Sequence, residues 1–266
     1  MPTNEQRRQA AKRKLERQIE RRAERARARR RTLTIASAVA VVVVVLVAAG
    51  LYFTLGRSSS EDAQAAAPAP GGCTYNPLGE PASRPVKQPD GNPPRTGTVG
   101  LTLQTTQGAI PLTLDRAEAP CAVNAVVSLT QQGFYDNTPC PRLVTGQGLQ
   151  VLQCGDPTGT GSGGPGYQYA EEPPKNLGPS PLGQGASNYT RGLVAMAKSS
   201  QPGSTGSQFF LVYGDSALPP EYTVVGKIDP AGLAVLDKVG AGGDDGSNQA
   251  GGGKPKIPVQ ITKAVL

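Results

Sequence analysis

From Thr32 to Gly56 the chain runs for 25 residues without a charge, and the centre of that stretch, Val39 to Val47, is wholly apolar. As an α-helix rising about 1.5 Å per residue, it exceeds the roughly 30 Å of bilayer hydrocarbon. It predicts a single transmembrane helix over residues 32–56. Arg27, Arg29, Arg30 and Arg31 crowd its N-terminal side, whereas only Arg57 precedes the acidic pair Glu61 and Asp62 on the other. This asymmetry puts the N-terminus in the cytoplasm and residues 58 onward outside the membrane. The competing reading is a secretory signal cleaved between Ala63 and Ala69, for which the apolar stretch is long and the basic leader extended. The expectation is a retained signal anchor, single-pass in the cell membrane.

The net charge of +7 is unevenly placed: residues 1–31 hold 13 Lys+Arg against 4 Asp+Glu, and the rest of the chain 14 against 16. A nucleic-acid surface needs cations spread over a folded domain, so nucleic acid is not an expected partner. In the tail, Arg13, Arg17, Arg21 and Arg25 recur at helical spacing among Glu16, Glu20 and Glu24. That pattern reads as a solvated or membrane-surface helix in the cytoplasm. Anionic lipid headgroups fit it, at about 1 kcal/mol per basic residue near such a surface.

Residues 57–97 are rich in Pro, Ala and Gly and read as a semi-extended linker. Residues 98–266 are long enough to bury a core. Val99–Thr105 and Ile110–Leu114 alternate around Gln107-Gly108 as a hairpin does. Leu143-Val144, Leu149–Gln153, Leu193–Ala197, Phe209–Tyr213, Val224–Ile228 and Val259–Val265 are further strands. Pro120 opens a helix closed by Gly133, and Pro230 opens a second that ends near Gly240. Short strands with two helices predict a mostly β domain, a barrel or a sandwich.

All four cysteines, Cys73, Cys121, Cys140 and Cys154, follow the apolar stretch, on the side where disulfides persist. They lack the CxxC clustering of a metal site. Three connectivities are open. If Pro141–Gln153 is a hairpin, Cys140 and Cys154 become cross-strand neighbours, leaving Cys73 to pin the linker to Cys121.

The chain has no histidine. That excludes a Ser-His-Asp triad, a Cys-His pair, a HExxH zinc site and any imidazole proton shuttle. Gly159-x-Gly161-x-x-Gly164 matches the dinucleotide fingerprint, yet Pro165-Gly166 follows where a helix should begin, so it reads as a surface turn. No cofactor and no metal is expected. A Ser/Lys hydrolase built on Lys198 with Ser199 or Ser200 is a further alternative.

The run Gly133-Phe134-Tyr135-Asp136-Asn137-Thr138-Pro139-Cys140-Pro141-Arg142-Leu143-Val144, then Gln153-Cys154-Gly155-Asp156-Pro157-Thr158-Gly159-Thr160-Gly161, then Met196-Ala197 and Gly206-Ser207-Gln208-Phe209-Phe210, resembles the cyclophilin family of peptidyl-prolyl isomerases. The likeness is greatest to the membrane-tethered cyclophilins of actinobacteria and runs from about Val99 to the C-terminus. It implies a closed eight-stranded β-barrel capped by two helices. It also implies prolyl isomerase activity on proline-containing polypeptides, here exported ones.

The chemistry suits these residues. An X-Pro amide rotates over a barrier of about 18–20 kcal/mol because the nitrogen lone pair is delocalised into the carbonyl. Weakening that resonance needs a permanent cation near the prolyl nitrogen and an apolar slot for the ring. Arg142 can be the cation. By resemblance Phe210 forms the slot floor and Val151 and Leu218 its walls, Gln153 and Gln208 hold the substrate backbone, and Ala197 and the Lys198 backbone line the peptide groove. Tyr222 stands where the family often has histidine. Arg142, Gln153 and Phe210 are the candidate catalytic residues. Thr145-Gly146-Gln147-Gly148 replaces a phenylalanine-bearing turn, so one aromatic wall is missing or rebuilt, and no tryptophan stands near Ala217 for tight cyclosporin binding. A non-catalytic Pro-peptide-binding module or chaperone is the alternative function.

Overall fold

The computed structural model describes residues 72–266. The predicted basic tail, the predicted transmembrane helix over 32–56 and the start of the linker lie outside the described residues. Among the described residues no helix is long and apolar enough to cross a membrane.

Among the described residues thirteen strands and two helices follow in the order β1 (Tyr75–Pro77), β2 (Thr98–Thr105), β3 (Gly108–Asp115), α1 (Pro120–Gln131), β4 (Thr138–Pro139), β5 (Arg142–Gly146), β6 (Leu149–Cys154) and β7 (Tyr167–Tyr169). After them come β8 (Ser187–Tyr189), β9 (Leu193–Met196), β10 (Phe209–Gly214), β11 (Ser216–Leu218), β12 (Val224–Ile228), α2 (Pro230–Gly242) and β13 (Gln260–Val265). Nine strands make one antiparallel sheet in the order β4-β13-β2-β3-β12-β9-β10-β6-β5, while β1-β7 and β11-β8 form two small sheets. The eight strands expected from the sequence are all in the large sheet; the short β4 is the ninth.

The sheet curls but stays open, which corrects the expectation of a closed eight-stranded barrel. Its edges, β4 and β5, are joined only by Cys140-Pro141 and do not pair with each other. Pro139 and Pro141 have no N–H to give to a ladder, so pairing stops there. Beyond β5 the partner is a single bridge, in which Leu143 and Gly253 exchange backbone hydrogen bonds of 2.8 and 2.9 Å.

Side chains alternate between two cores, as the period of two requires. Leu152, Cys154, Val194, Met196, Phe209 and Leu211 join the main core with both helices. Val144, Val151, Ala195, Phe210 and Val212 join Tyr189 and Val224 in a second cluster on the opposite face. The α1 N-terminus follows Ala119, which has no side-chain cap to offer. Glu172 caps it from a distant loop, accepting from the Cys121 and Ala122 N–H groups at 3.1 and 2.9 Å. Burial raises the Glu172 pKa despite those bonds.

The last part of the predicted linker lies on the domain. β1 pairs with β7, Cys73 is bonded to Cys121, and Cys140 to Cys154. Arg84 donates to the carbonyls of Phe134, Asp136 and Asn137 just beyond α1. Tyr75 is buried, with its hydroxyl donating to the Cys121 carbonyl at 2.9 Å. Residues 73–97 are thus held by partners much further along the chain.

Candidate active site

Arg142 opens β5 and lies opposite Gln153 in β6, and Gln153 is in turn opposite Phe210 in β10. Two adjacent ladders therefore set a cation, an amide and an aromatic ring side by side. In β6, Leu149, Val151 and Gln153 are two residues apart and point to one face. With Arg142, Phe210, Ala197, Lys198, Leu218 and Tyr222 they line a cavity of about 190 Å³.

Eight of the nine candidate residues meet in this cavity. Gln208 lines an adjoining cavity of about 320 Å³ that shares Gln153, Ala197 and Lys198. Leu149 is not among the candidate residues but lines the cavity with them, and its two-residue spacing from Val151 is the signal in the sequence for it. β5 and β6 are joined by the turn Gln147-Gly148, in which Gly148 takes φ +86°. Leu149 follows directly and supplies an aliphatic wall of the cavity.

A polar chain crosses the cavity mouth. Arg142 Nη1 donates to Gln153 Oε1 at 3.2 Å, Gln153 Nε2 to Gln208 Oε1 at 2.9 Å, and Gln208 Nε2 to the Gly161 and Gly163 carbonyls at 2.9 and 3.0 Å. Arg142 Nε and Nη2 donate to the carbonyls of Gly251 and Ala250 at 3.1 and 3.0 Å. Three of the five guanidinium N–H groups are thus engaged, and the rest are free for a ligand. Burial lowers the Arg142 pKa, yet a guanidinium stays charged at any physiological pH.

The loop carrying the Gly161 and Gly163 carbonyls is wound around Asp156, which is fully buried. Its carboxylate accepts from the N–H groups of Thr158, Gly161 and Gly163 at 2.8, 2.7 and 3.1 Å. Burial alone would raise its pKa, but the hydrogen bonds from Thr158, Gly163 and Gly161 outweigh it and leave the value below the ordinary range. Gly155, at φ +93°, lets this loop approach Ser207, where any Cβ would overlap the Ser207 carbonyl. Ser207 Oγ closes the contact on the Gly155 carbonyl at 2.8 Å, beside Gln208.

In the cavity wall, the Phe210 and Tyr222 rings meet edge to face at 5.6 Å. Tyr189, fully buried, accepts from the Tyr222 N–H at 3.1 Å and donates to the Tyr222 carbonyl at 3.0 Å. Burial pushes its phenol up to about 12. Tyr189 lies in β8, a strand the sequence did not suggest. Lys198 Nζ pairs with Glu221 at 3.1 Å and donates to the Ser199 carbonyl, not to a serine hydroxyl. Among the described residues no cluster of His, Cys, Asp and Glu could hold a metal ion. The arrangement can grip a small apolar ring beside a fixed cation, with oriented amides for a peptide backbone.

Comparison with known proteins gives the same direction. Residues 100–266 match the family model for cyclophilin type peptidyl-prolyl cis-trans isomerase/CLD, and residues 23–78 match one for a Carboxypeptidase Rv3627c-like, N-terminal domain. The chain is 45% identical over 282 residues to the probable peptidyl-prolyl cis-trans isomerase B of Mycobacterium leprae, covering 92% of this chain and 95% of that one. It is 45% identical over 294 residues to the protein of the same name from Mycobacterium tuberculosis H37Rv, covering 100% and 94%. A crystal structure of a Cryptosporidium parvum cyclophilin type peptidyl-prolyl cis-trans isomerase superposes with a TM-score of 0.50 at 27% identity, over 64% of this chain and 97% of that one.

Proposed function

The chain belongs to the cyclophilin-type peptidyl-prolyl cis-trans isomerases and is an enzyme of that class, and from this premise we propose that it isomerises X-Pro bonds in exported polypeptides, with Arg142 as the electrostatic catalyst. The proline ring enters the 190 Å³ cavity against Phe210, between Val151, Leu149 and Leu218. The guanidinium then lies beside the prolyl nitrogen and draws its lone pair out of conjugation with the carbonyl. A fixed donor of this kind lowers a barrier by about 3 kcal/mol, because its orientation is set before the substrate arrives. Gln153 and Gln208 receive the peptide backbone, Ala197 and Lys198 line the groove beside it, and Tyr222 covers the ring. No covalent step and no proton transfer is required.

The observation that carries this reading is the shared cavity: an arginine tethered by three hydrogen bonds lines the same slot as the Phe210 and Tyr222 rings and the aliphatic side chains of Leu149, Val151 and Leu218. Location outside the membrane is supported by the uncharged stretch 32–56 with its one-sided arginines and by the absence of any free cysteine among the described residues. The domain division then becomes a basic tail (1–31), an anchor (32–56), a tether and the isomerase domain.

Exchange spectroscopy on an Ala-Pro peptide tests the assignment. With the full chain present, cis–trans exchange accelerates and the prolyl ring protons shift upfield under Phe210. Exchange at the uncatalysed rate of tens to hundreds of seconds overturns it.

A further inference from the structure

Arg142 and Gln153 are walls of two cavities. One is the proline slot. The other, of about 340 Å³, opens on the far side of the guanidinium, between the loop at Thr160 and the glycine-rich segment running from Ser247 to Lys254. It is larger than the slot, and nothing in the isomerisation chemistry uses it.

Its lining differs from that of the slot. Thr160, Ser247 and Asn248 supply polar groups, Arg142 and Lys254 supply two cations, and no carboxylate is among the lining residues. The nearby acids are engaged elsewhere. Asp245 accepts from the Ser247 and Lys254 N–H groups at 3.0 and 2.8 Å, and Asp244 from Thr145 and Gly246 at 2.7 and 3.0 Å. Asp156 is buried within its own loop. Asp245 partly offsets the Lys254 charge, but the cavity remains a positive recess.

The recess is built before any ligand arrives. Its outer wall is fixed by the Ala250 and Gly251 carbonyls on Arg142, by the Asn248 side chain on the Ala250 N–H at 2.9 Å and by the Leu143–Gly253 bridge. The recess adjoins the slot across Arg142 and Gln153, which line both.

We propose that this cavity is a second substrate pocket, which takes an acidic side chain of the client polypeptide between Arg142 and Lys254 and so selects prolines with an aspartate or glutamate nearby. The inference rests on the proline-slot reading above.

The test uses the full chain and proline peptides carrying Glu, Gln or Lys, in turn, at each of the two positions on either side of the proline. At one of these positions kcat/KM favours Glu over Lys by about two- to fivefold at low salt, the range for a solvent-accessible ion pair. The preference shrinks at high salt. Lys254→Glu inverts the Glu/Lys ratio, and Lys254→Gln brings it close to one. Because the readout is a ratio within each variant, a general loss of activity cancels. A ratio near one at every position, or a preference that survives in Lys254→Glu, overturns the proposal while leaving the slot reading intact. Failure to isomerise any peptide overturns both.

Discussion

Arg142 and Gln153 are direct partners across the β5–β6 ladder, and the guanidinium donates to the amide oxygen at 3.2 Å. The cation that acts on the substrate is thus aimed by a neighbour whose own amide is oriented by Gln208 and, through it, by two loop carbonyls. Gln153→Ala removes the middle of that chain. The expected result is a fall of about tenfold in kcat/KM, equivalent to about 1.4 kcal/mol, as for a lost hydrogen bond to a charged group. Gln208→Ala, one step further from the cation, falls less. Peptide isomerisation kinetics on both variants give the comparison.

Asp156 acts on the same chain from below. Its folded pKa is depressed, so it contributes stability that is complete above the ordinary carboxylate value near 4 and lost as pH falls through the folded value. Activity should therefore decline below about pH 4 together with hydrogen-exchange protection at Gly161 and Gly163. Asp156→Ala, which takes the shared acceptor from the Thr158, Gly161 and Gly163 N–H groups, should destabilise by about 1–2 kcal/mol in urea unfolding.

The alkaline limit has the opposite sign. Tyr75, Tyr189 and Tyr213 are held up to about 12 by burial, whereas unfolded phenols ionise near 10. Their contribution is full below pH 10 and is lost between pH 10 and 12. With no histidine in the chain, kcat/KM should be flat between about pH 6 and 8. A pH series of unfolding and turnover measures both.

The two disulfides should separate in their effects. Cys140–Cys154 ties together the residues flanking Arg142 and Gln153, and Cys73–Cys121 ties β1 to α1. A double Cys→Ser change at positions 73 and 121 opens a 48-residue separation and should cost about 4 kcal/mol of stability, with kcat/KM nearly unchanged below the melting transition. The same change at 140 and 154 should lower kcat/KM as well, by allowing Arg142 and Gln153 to move.

These features differ in how far the sequence reveals them. Pro120, Gly133 and Pro230 mark the helix ends locally, the alternation in β2 and β3 is long enough to register, and β6, β9, β10 and β12 show as short apolar segments between turns. β1, β7, β8 and β11 have three residues each, too few for a period, and β1 lies within a Pro- and Gly-rich stretch that composition reads as tether. What holds that stretch, Tyr75 on Cys121 and Arg84 on the carbonyls beyond α1, depends on residues about fifty positions away. The same holds at the site. Leu149 follows from its spacing to Val151, but Tyr189 behind Tyr222, Glu172 on the helix end and the Gly251 carbonyl on Arg142 are products of the folded geometry.

The most direct measurement is the isomerisation rate of an Ala-Pro peptide by Arg142→Ala and Arg142→Lys, with folding of each variant checked by thermal unfolding. The guanidinium account predicts at least a tenfold loss of kcat/KM in Arg142→Ala. Only partial recovery is expected in Arg142→Lys, whose ammonium keeps the charge but not the forked donors that hold it to Gln153, Ala250 and Gly251. A folded Arg142→Ala protein that turns over the peptide within twofold of the unaltered chain would contradict it.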